Sequence, residues 1–159
     1  MDNRLEVLRE KVDGFVNRIE PGKRRYFFVH LYGVSHFGAL LALRRGADAE
    51  IASACGMLHD IYPVISGSYE NHAALGATEA EMILKSTGLF SDREIEIITA
   101  AISNHSAKNK VDSIYDEILK DADVLHHCLY NPGFLVAEHE KERFQNILTE
   151  LGCHMKPNV

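Results

Sequence analysis

Apolar residues recur at every third or fourth position along almost the whole chain, and no stretch shows the β-branched, every-second-residue alternation of a half-buried strand. That single period predicts an all-α fold, with helices over about 3–19, 23–45, 48–60, 71–86, 92–105, 113–128 and 134–151. Pro21-Gly22, an irregular loop over 61–70, Ser91 and the Asn-Pro-Gly of 131–133 punctuate them. Two starts carry the S/T-x-x-E/D spacing in which side chains satisfy the free amides of a first turn: Ser91 with Glu94, and Ser113 with Asp116. With 159 residues, 46% of them hydrophobic, the chain is long enough to close one core without staples, and no repeat or linker divides it. A single domain over 1–159 is expected.

Composition then removes several function classes. The three cysteines, Cys55, Cys128 and Cys153, are odd in number and lack a C-x-x-C pair, which argues against a disulfide framework and against a thiolate zinc site. No apolar run approaches the ~20 residues of a membrane span, and the amino-terminal MDNRLEVLREKV alternates charges where a signal peptide needs an apolar stretch. A cytoplasmic location without membrane attachment is the expectation. A net charge of −6, with no basic run longer than Lys23-Arg24-Arg25, disfavours a nucleic acid polymer as partner. Small anionic ligands stay compatible with a few local cations, and a homodimer is compatible with the composition.

Against this background four histidines stand out. His30 shares a stripe with Val34, Phe37 and Leu41; His59 follows Ile51, Cys55 and Leu58, with Asp60 next to it at a helix end. His72 opens a helix behind Asn71, and His105 closes one on the stripe of Ile98 and Ile102. A lone histidine on an apolar face is most often satisfied by a backbone carbonyl. Four on four helices would need four separate buried partners, each missing one costing roughly 1–3 kcal/mol, whereas one metal centre satisfies them together. His36, His126, His127, His139 and His154 lie off these stripes or in the tail and are read as surface or supporting groups.

The segments HLYGV from His30, MLHD ending at Asp60, NHAALGA around His72, AISNHS around His105 and LKDADVL around Asp123 resemble, in order, the motifs of the HD superfamily of metal-dependent phosphohydrolases. The resemblance covers a motif-bearing core of about 24–128, leaving the helix of about 134–151 as an addition. It implies a compact helical bundle of six to seven helices. It also implies a ligand set of His30, His59, Asp60 and Asp123, extended to a second ion by His72 and His105, with Asp60 bridging. The H-x-x-x-G-A segment is similar to that of bacterial HD enzymes that cleave dinucleoside polyphosphates, and NHSAK…DAD to that of small HD nucleotide hydrolases. Asp121 stays an alternate to Asp123: a helical wheel puts it nearer the Ile118, Ala122 and Leu125 face, while the family's A-D-x-L pattern fits Ala122-Asp123-Val124-Leu125.

Imidazole and carboxylate donors favour Fe, Mn, Co, Ni or Zn over a hard ion, with Fe or Mn expected here. The resemblance implies hydrolysis of a phosphoester or phosphoanhydride of a small phosphorylated molecule, a nucleotide by expectation. The nucleophile is a metal-activated water, with Asp60, His59 and Lys108 as catalytic residues. Lys108, Lys110, Arg24 and Arg25 are the cations expected to meet phosphate. Ile61-Tyr62-Pro63 follows the His-Asp pair where many HD phosphodiesterases have x-G-K, and the first acid downstream is Glu70, which argues against a cyclic dinucleotide phosphodiesterase and against the glutamate-dependent HD nucleotidases. A catalytically silent metal- or nucleotide-binding sensor is the alternative.

Overall fold

The computed structural model describes residues 3–154, so the ends of the expected 1–159 domain, residues 1–2 and 155–159, lie outside it. The elements are α1 (Arg4–Val16), α2 (Pro21–Arg45), α3 (Ala49–Leu58), α4 (Ile61–Ser66), α5 (His72–Thr87), α6 (Asp92–Asn104), α7 (Ile114–Tyr130) and α8 (Lys141–Leu151), with a 3-10 turn at Glu138–Glu140. There is no strand among the described residues, and the seven expected helices are all present.

The bundle is organised around α3. From Ile51 to Leu58 the sequence IASACGML has no charged residue, and every one of these side chains is buried. A helix apolar on all sides must be enclosed, and α3 packs against α1, α2, α6 and α7. Asp48 starts it, its carboxylate accepting from the amides of Glu50 at 2.8 Å and Ile51 at 3.1 Å. Close approach to α2 is set by Gly56: a Cβ there would fall 2.5 Å from the Ser35 Cα and N and 2.8 Å from the Val34 carbonyl carbon. Because the obstructing atoms are backbone, only glycine lets α2 and α3 cross where they do. Their crossing brings His30 of α2 beside His59 at the end of α3.

At 25 residues and with a mean hydropathy of 1.4 over its best window, α2 has the length and composition of a membrane span, contrary to the expectation from sequence. Its composition has another cause in the bundle, where α2 packs on α3 and α7 and buries His30, Leu31, Val34, Ser35 and Gly38.

Three local expectations change. Residues 61–66 of the expected loop form the short helix α4, because Pro63 falls in its first turn, where no amide is needed; Gly67, at φ 73°, then ends it. The last helix begins at Lys141 rather than 134, since Asn131 to Ala137 take irregular conformations before the 3-10 turn. Ser91 and Glu94 form the reciprocal cap expected of them. Ser113 sits at the N-cap of α7 without capping; its hydroxyl donates instead to the Asp116 carboxylate, which also accepts from Asn104 Nδ2 at 2.5 Å. That contact ties the end of α6 to the start of α7.

Candidate metal centre

Six helices deliver polar atoms to one buried point. His30 projects from the middle of α2, His59 is the residue that caps the end of α3, and Asp60 is the N-cap of α4. His72 is the first residue of α5, placed there by Asn71 in the left-handed conformation at φ 51°, which asparagine tolerates better than most residues. His105 caps the end of α6, and Asp123 comes from the buried middle of α7.

Asp60 divides the cluster in two. Its Oδ2 lies 3.4 Å from His30 Nε2 and 3.7 Å from His59 Nε2, while its Oδ1 lies 3.6 Å from both His72 Nε2 and His105 Nε2. On the first side His30 Nε2 and His59 Nε2 are 3.0 Å apart and Asp123 Oδ1 is 3.7 and 3.8 Å from them. On the second, His72 Nε2 and His105 Nε2 are 3.3 Å apart. Ligands ~2.1 Å from a common ion are separated by ~3.0 Å in octahedral and ~3.4 Å in tetrahedral geometry. The separations, 3.0–3.8 Å in the first half and 3.3–3.6 Å in the second, lie at or a few tenths of an ångström above these values.

The helix ends also set the tautomers. A helix leaves its last carbonyls without amide partners. His59 Nδ1 donates to the Gly56 carbonyl at 2.8 Å and His105 Nδ1 to that of Ile102 at 2.7 Å, both in the last turn of their helices. His72 Nδ1 donates to the Tyr69 carbonyl at 2.9 Å. A carbonyl can only accept, so in all three rings the proton is on Nδ1 and the Nε2 lone pair faces inward. This is the arrangement by which outer hydrogen bonds orient metal-binding histidines.

The donor set fits a metal ion. Among the described residues, only Asp60 Oδ1 and Asp123 Oδ1 are buried side-chain polar atoms without a hydrogen-bond partner, and both face inward Nε2 atoms. Lone pairs facing lone pairs in a dry site repel each other; a cation between them converts the repulsion into bonds. His30, His59 and Asp60 form one candidate ligand group, and Asp60, His72 and His105 a second. The residues fit one or two divalent ions.

Electrostatics keep His59 neutral and the two carboxylates charged. Burial lowers His59 to about 4, against the pull of Asp60. Burial works to raise the carboxyl of Asp60, but His59, His105 and His30 outweigh it and hold it well below the usual range. At Asp123 burial is likewise outweighed, by Lys108 first and then by His59, His127 and His30.

Of the expected phosphate-binding cations, only Lys108 reaches the centre. Its Nζ is 2.5 Å from Asp123 Oδ2, which turns the other oxygen toward the histidines. Arg143 of α8 fixes it from behind, donating to the Lys108 carbonyl at 2.8 Å. Lys110 is exposed and its carbonyl accepts from Lys120; Arg24 donates to the Ile19 carbonyl at 2.9 Å; Arg25 is exposed, with no ion pair among the described residues. None of these three side chains contacts the ligand cluster among the described residues. The choice between Asp121 and Asp123 is also resolved: Asp121 accepts from Arg45 at 2.5 Å and Arg143 at 2.7 Å, binding α2 and α8 to α7.

Two of the histidines expected as surface or supporting groups adjoin the ligand cluster. His126 Nδ1 is 3.0 Å from His30 Nδ1, and the space for its ring exists because position 33 is glycine, where a Cβ would lie 2.2 Å from His126 Cδ2. His127 Nε2 is 3.3 Å from Asp123 Oδ1, its Nδ1 is held by Glu140 at 2.9 Å, and its ring stacks on His30 at 5.5 Å with an interplanar angle of 8°. Tyr26 stacks on His30 as well, at 5.6 Å and 9°. His30, Asp123 and His127 make a third candidate ligand group, sharing His30 with the first. The i, i+4 spacing from Asp123 to His127 was the available signal. Ser106, whose hydroxyl is 3.3 Å from His72 Nε2, also borders the second half.

The chain matches the HD domain family over residues 27–127 and belongs to it. Members of this family are mostly metal-dependent hydrolases. No curated protein and no solved structure matches the chain.

Proposed function

We propose that this HD protein is a metal-dependent phosphohydrolase that cleaves a phosphoester or phosphoanhydride of a small phosphorylated molecule, a nucleotide being the class best suited. The observation that carries the reading is the pairing of two orphaned carboxylate oxygens with inward-facing imidazole lone pairs on both sides of Asp60. Two bound divalent ions would lower the pKa of a water molecule and polarise a phosphoryl group, which no side chain here could do alone. His30, His59, Asp60 and Asp123 would hold one ion, and Asp60, His72 and His105 the other.

The chain's own contribution is positional. Gly56, Tyr69 and Ile102 carbonyls lock three imidazoles; Tyr26 and His127 both stack on the His30 ring. Lys108 partly neutralises Asp123 and leaves a cation at the edge of the site, 17% exposed, within reach of an anionic substrate. Without thiolates among the candidate ligand groups the donor set suits Fe or Mn, and also Co, Ni or Zn.

The test is elemental analysis of freshly purified protein beside a screen of nucleotides and simple phosphoesters for phosphate release with Mn²⁺ or Fe²⁺. One to two transition metal ions per chain and release that disappears with chelator are expected. Stoichiometric metal and nucleotide binding with no release from any phosphoester would favour the silent binding domain instead.

A further inference from the structure

A cavity of about 580 Å³ opens between the start of α2 and the α4 turn, within the size range of small-molecule sites. It shares a wall with the metal centre. Tyr26 and Tyr69 both line it, and their other sides meet the centre: Tyr26 stacks on His30, and the Tyr69 ring meets that of His72 edge-on at 5.6 Å. Phe27, Val64 and Ile65 give it apolar sides. At the rim, Glu20 and Lys23 are exposed, and neither side chain is engaged in an ion pair or hydrogen bond among the described residues.

From this juxtaposition we infer that the cavity is the nucleoside subsite, holding the base of a substrate whose phosphate lies at the metal centre; the inference rests on the phosphohydrolase reading above. Aromatic and branched side chains accept the flat face of any base. A carboxylate acceptor and an ammonium donor at the rim match the N–H and carbonyl edge of a base, groups for which an alkyl chain has no use. Distance works in the same direction, since a ligand stacked near Tyr26 and Tyr69 is one ring away from His30 and His72.

Two substitutions address the cavity without touching the core. Nothing but Glu20 Oε1, at 3.6 Å, lies near a Cβ added at Gly22, so Gly22→Leu projects into open cavity space. Ile65 is 41% exposed, and Ile65→Asn replaces an apolar contact with an amide of the same number of heavy atoms. Calorimetric titration of the Mn²⁺-loaded protein with a set of nucleoside 5′-monophosphates, ribose 5-phosphate and inorganic phosphate reads the result. At least one nucleotide should bind ~10-fold or more tighter than ribose 5-phosphate. Both variants should lose that advantage, with inorganic phosphate binding and melting temperature unchanged. Equal binding of all three probe types to the wild type, or an advantage that survives both substitutions, overturns the subsite while leaving the metal centre intact. Nucleotide binding that is lost in both variants, in a protein that neither takes up Mn²⁺ nor binds inorganic phosphate, upholds the subsite and overturns the hydrolase reading instead.

Discussion

His30 and His126 face each other through their Nδ1 atoms at 3.0 Å, both rings buried. For His30 to present a lone pair at Nε2 toward His59 and Asp60, its Nδ1 must carry the proton, and His126 must accept it. His126 suits that task because burial, then the neighbouring His30 and His127, lower it to about 4, so it stays unprotonated near neutrality. His126→Ala is expected to weaken metal binding in the His30 half by ~10–100-fold, the usual effect of losing an orienting partner. His36→Ala, on the exposed side of α2, should change nothing. Metal titration of both variants checks this; equal affinities would make His126 a packing residue only.

Asp60 is the one side chain whose two oxygens serve both halves of the cluster. Asp60→Ala should abolish phosphate release and remove more than one ion's worth of binding, with helical content by circular dichroism unchanged. In the metal-free state the variant should melt within a few degrees of the wild type, because the orphaned Oδ1 acceptor, which costs ~1–3 kcal/mol, and the favourable contacts of the carboxylate with its histidine neighbours are lost together. A large loss of metal-free stability would mean that Asp60 holds the fold rather than the ions.

The metal-free protein should lose stability on acidification through the window from about 6.5 to about 4. In the unfolded chain a histidine takes up a proton near 6.5, whereas folded His59 and His126 resist it until about 4. Between those values the unfolded state binds more protons, so stability is full above the window and falls as pH drops through it. The buried His59 alone accounts for up to ~3 kcal/mol. Bound metal competes with the same protons and should move the loss to lower pH. Urea midpoints from pH 8 to pH 4, with and without Mn²⁺, measure both effects; a flat metal-free profile would contradict buried neutral imidazoles.

What the sequence made readable, and what it hid, follows from how each residue is placed. His30, His59, His72 and His105 sit on one-sided stripes or at helix ends, where period and punctuation report direction. α7 is different: from Ile118 to His126 every residue is buried, so no wheel separates an inward from an outward face. Hence the sequence alone does not separate Asp121 from Asp123, nor does it show that the adjacent His126 and His127 both meet His30. Glu140, in the 3-10 turn, reaches His127 only through the tertiary fold. The cations near His105 and His30 were judged by proximity in sequence, which says little when a side chain such as Arg24 has a backbone carbonyl closer at hand.

Gly56 tests the crossing on which the centre depends. In Gly56→Ala the new Cβ would meet Ser35 and Val34 backbone atoms at 2.5–2.8 Å, and neither helix can give way by a side-chain rotation. A cost of ~3 kcal/mol is expected, or roughly 5–10 °C in Tm, with weakened metal binding because His30 and His59 are pushed apart. Gly14→Ala, in α1 with nothing within 4 Å of the added carbon, should instead raise stability by ~0.5–1 kcal/mol. Thermal melts of the pair separate a helix-propensity effect from a crossing effect.

Lys108 distinguishes a residue that meets only substrate from one that also shapes the centre. Read from sequence, Lys108→Ala should leave metal content unchanged and weaken turnover. The 2.5 Å contact with Asp123 changes that expectation. Removing the ammonium leaves a buried carboxylate without its principal counter-charge, so the Asp123 carboxyl rises toward or above its ordinary value, and the hydrogen bond at Oδ2 that turns Oδ1 toward the histidines is lost. Metal affinity in the His30 half should therefore fall by ~10-fold or more, and the acid-side loss of metal should move to higher pH. Lys108→Arg, which keeps the charge, should recover most of the affinity while fitting the same space less well. The checks are metal dissociation constants for wild type, K108A and K108R between pH 8 and pH 5, set beside KM for a hydrolysed phosphoester. A raised KM with unaltered metal affinity at every pH would return Lys108 to a substrate contact alone and leave Asp123 held by its histidine neighbours.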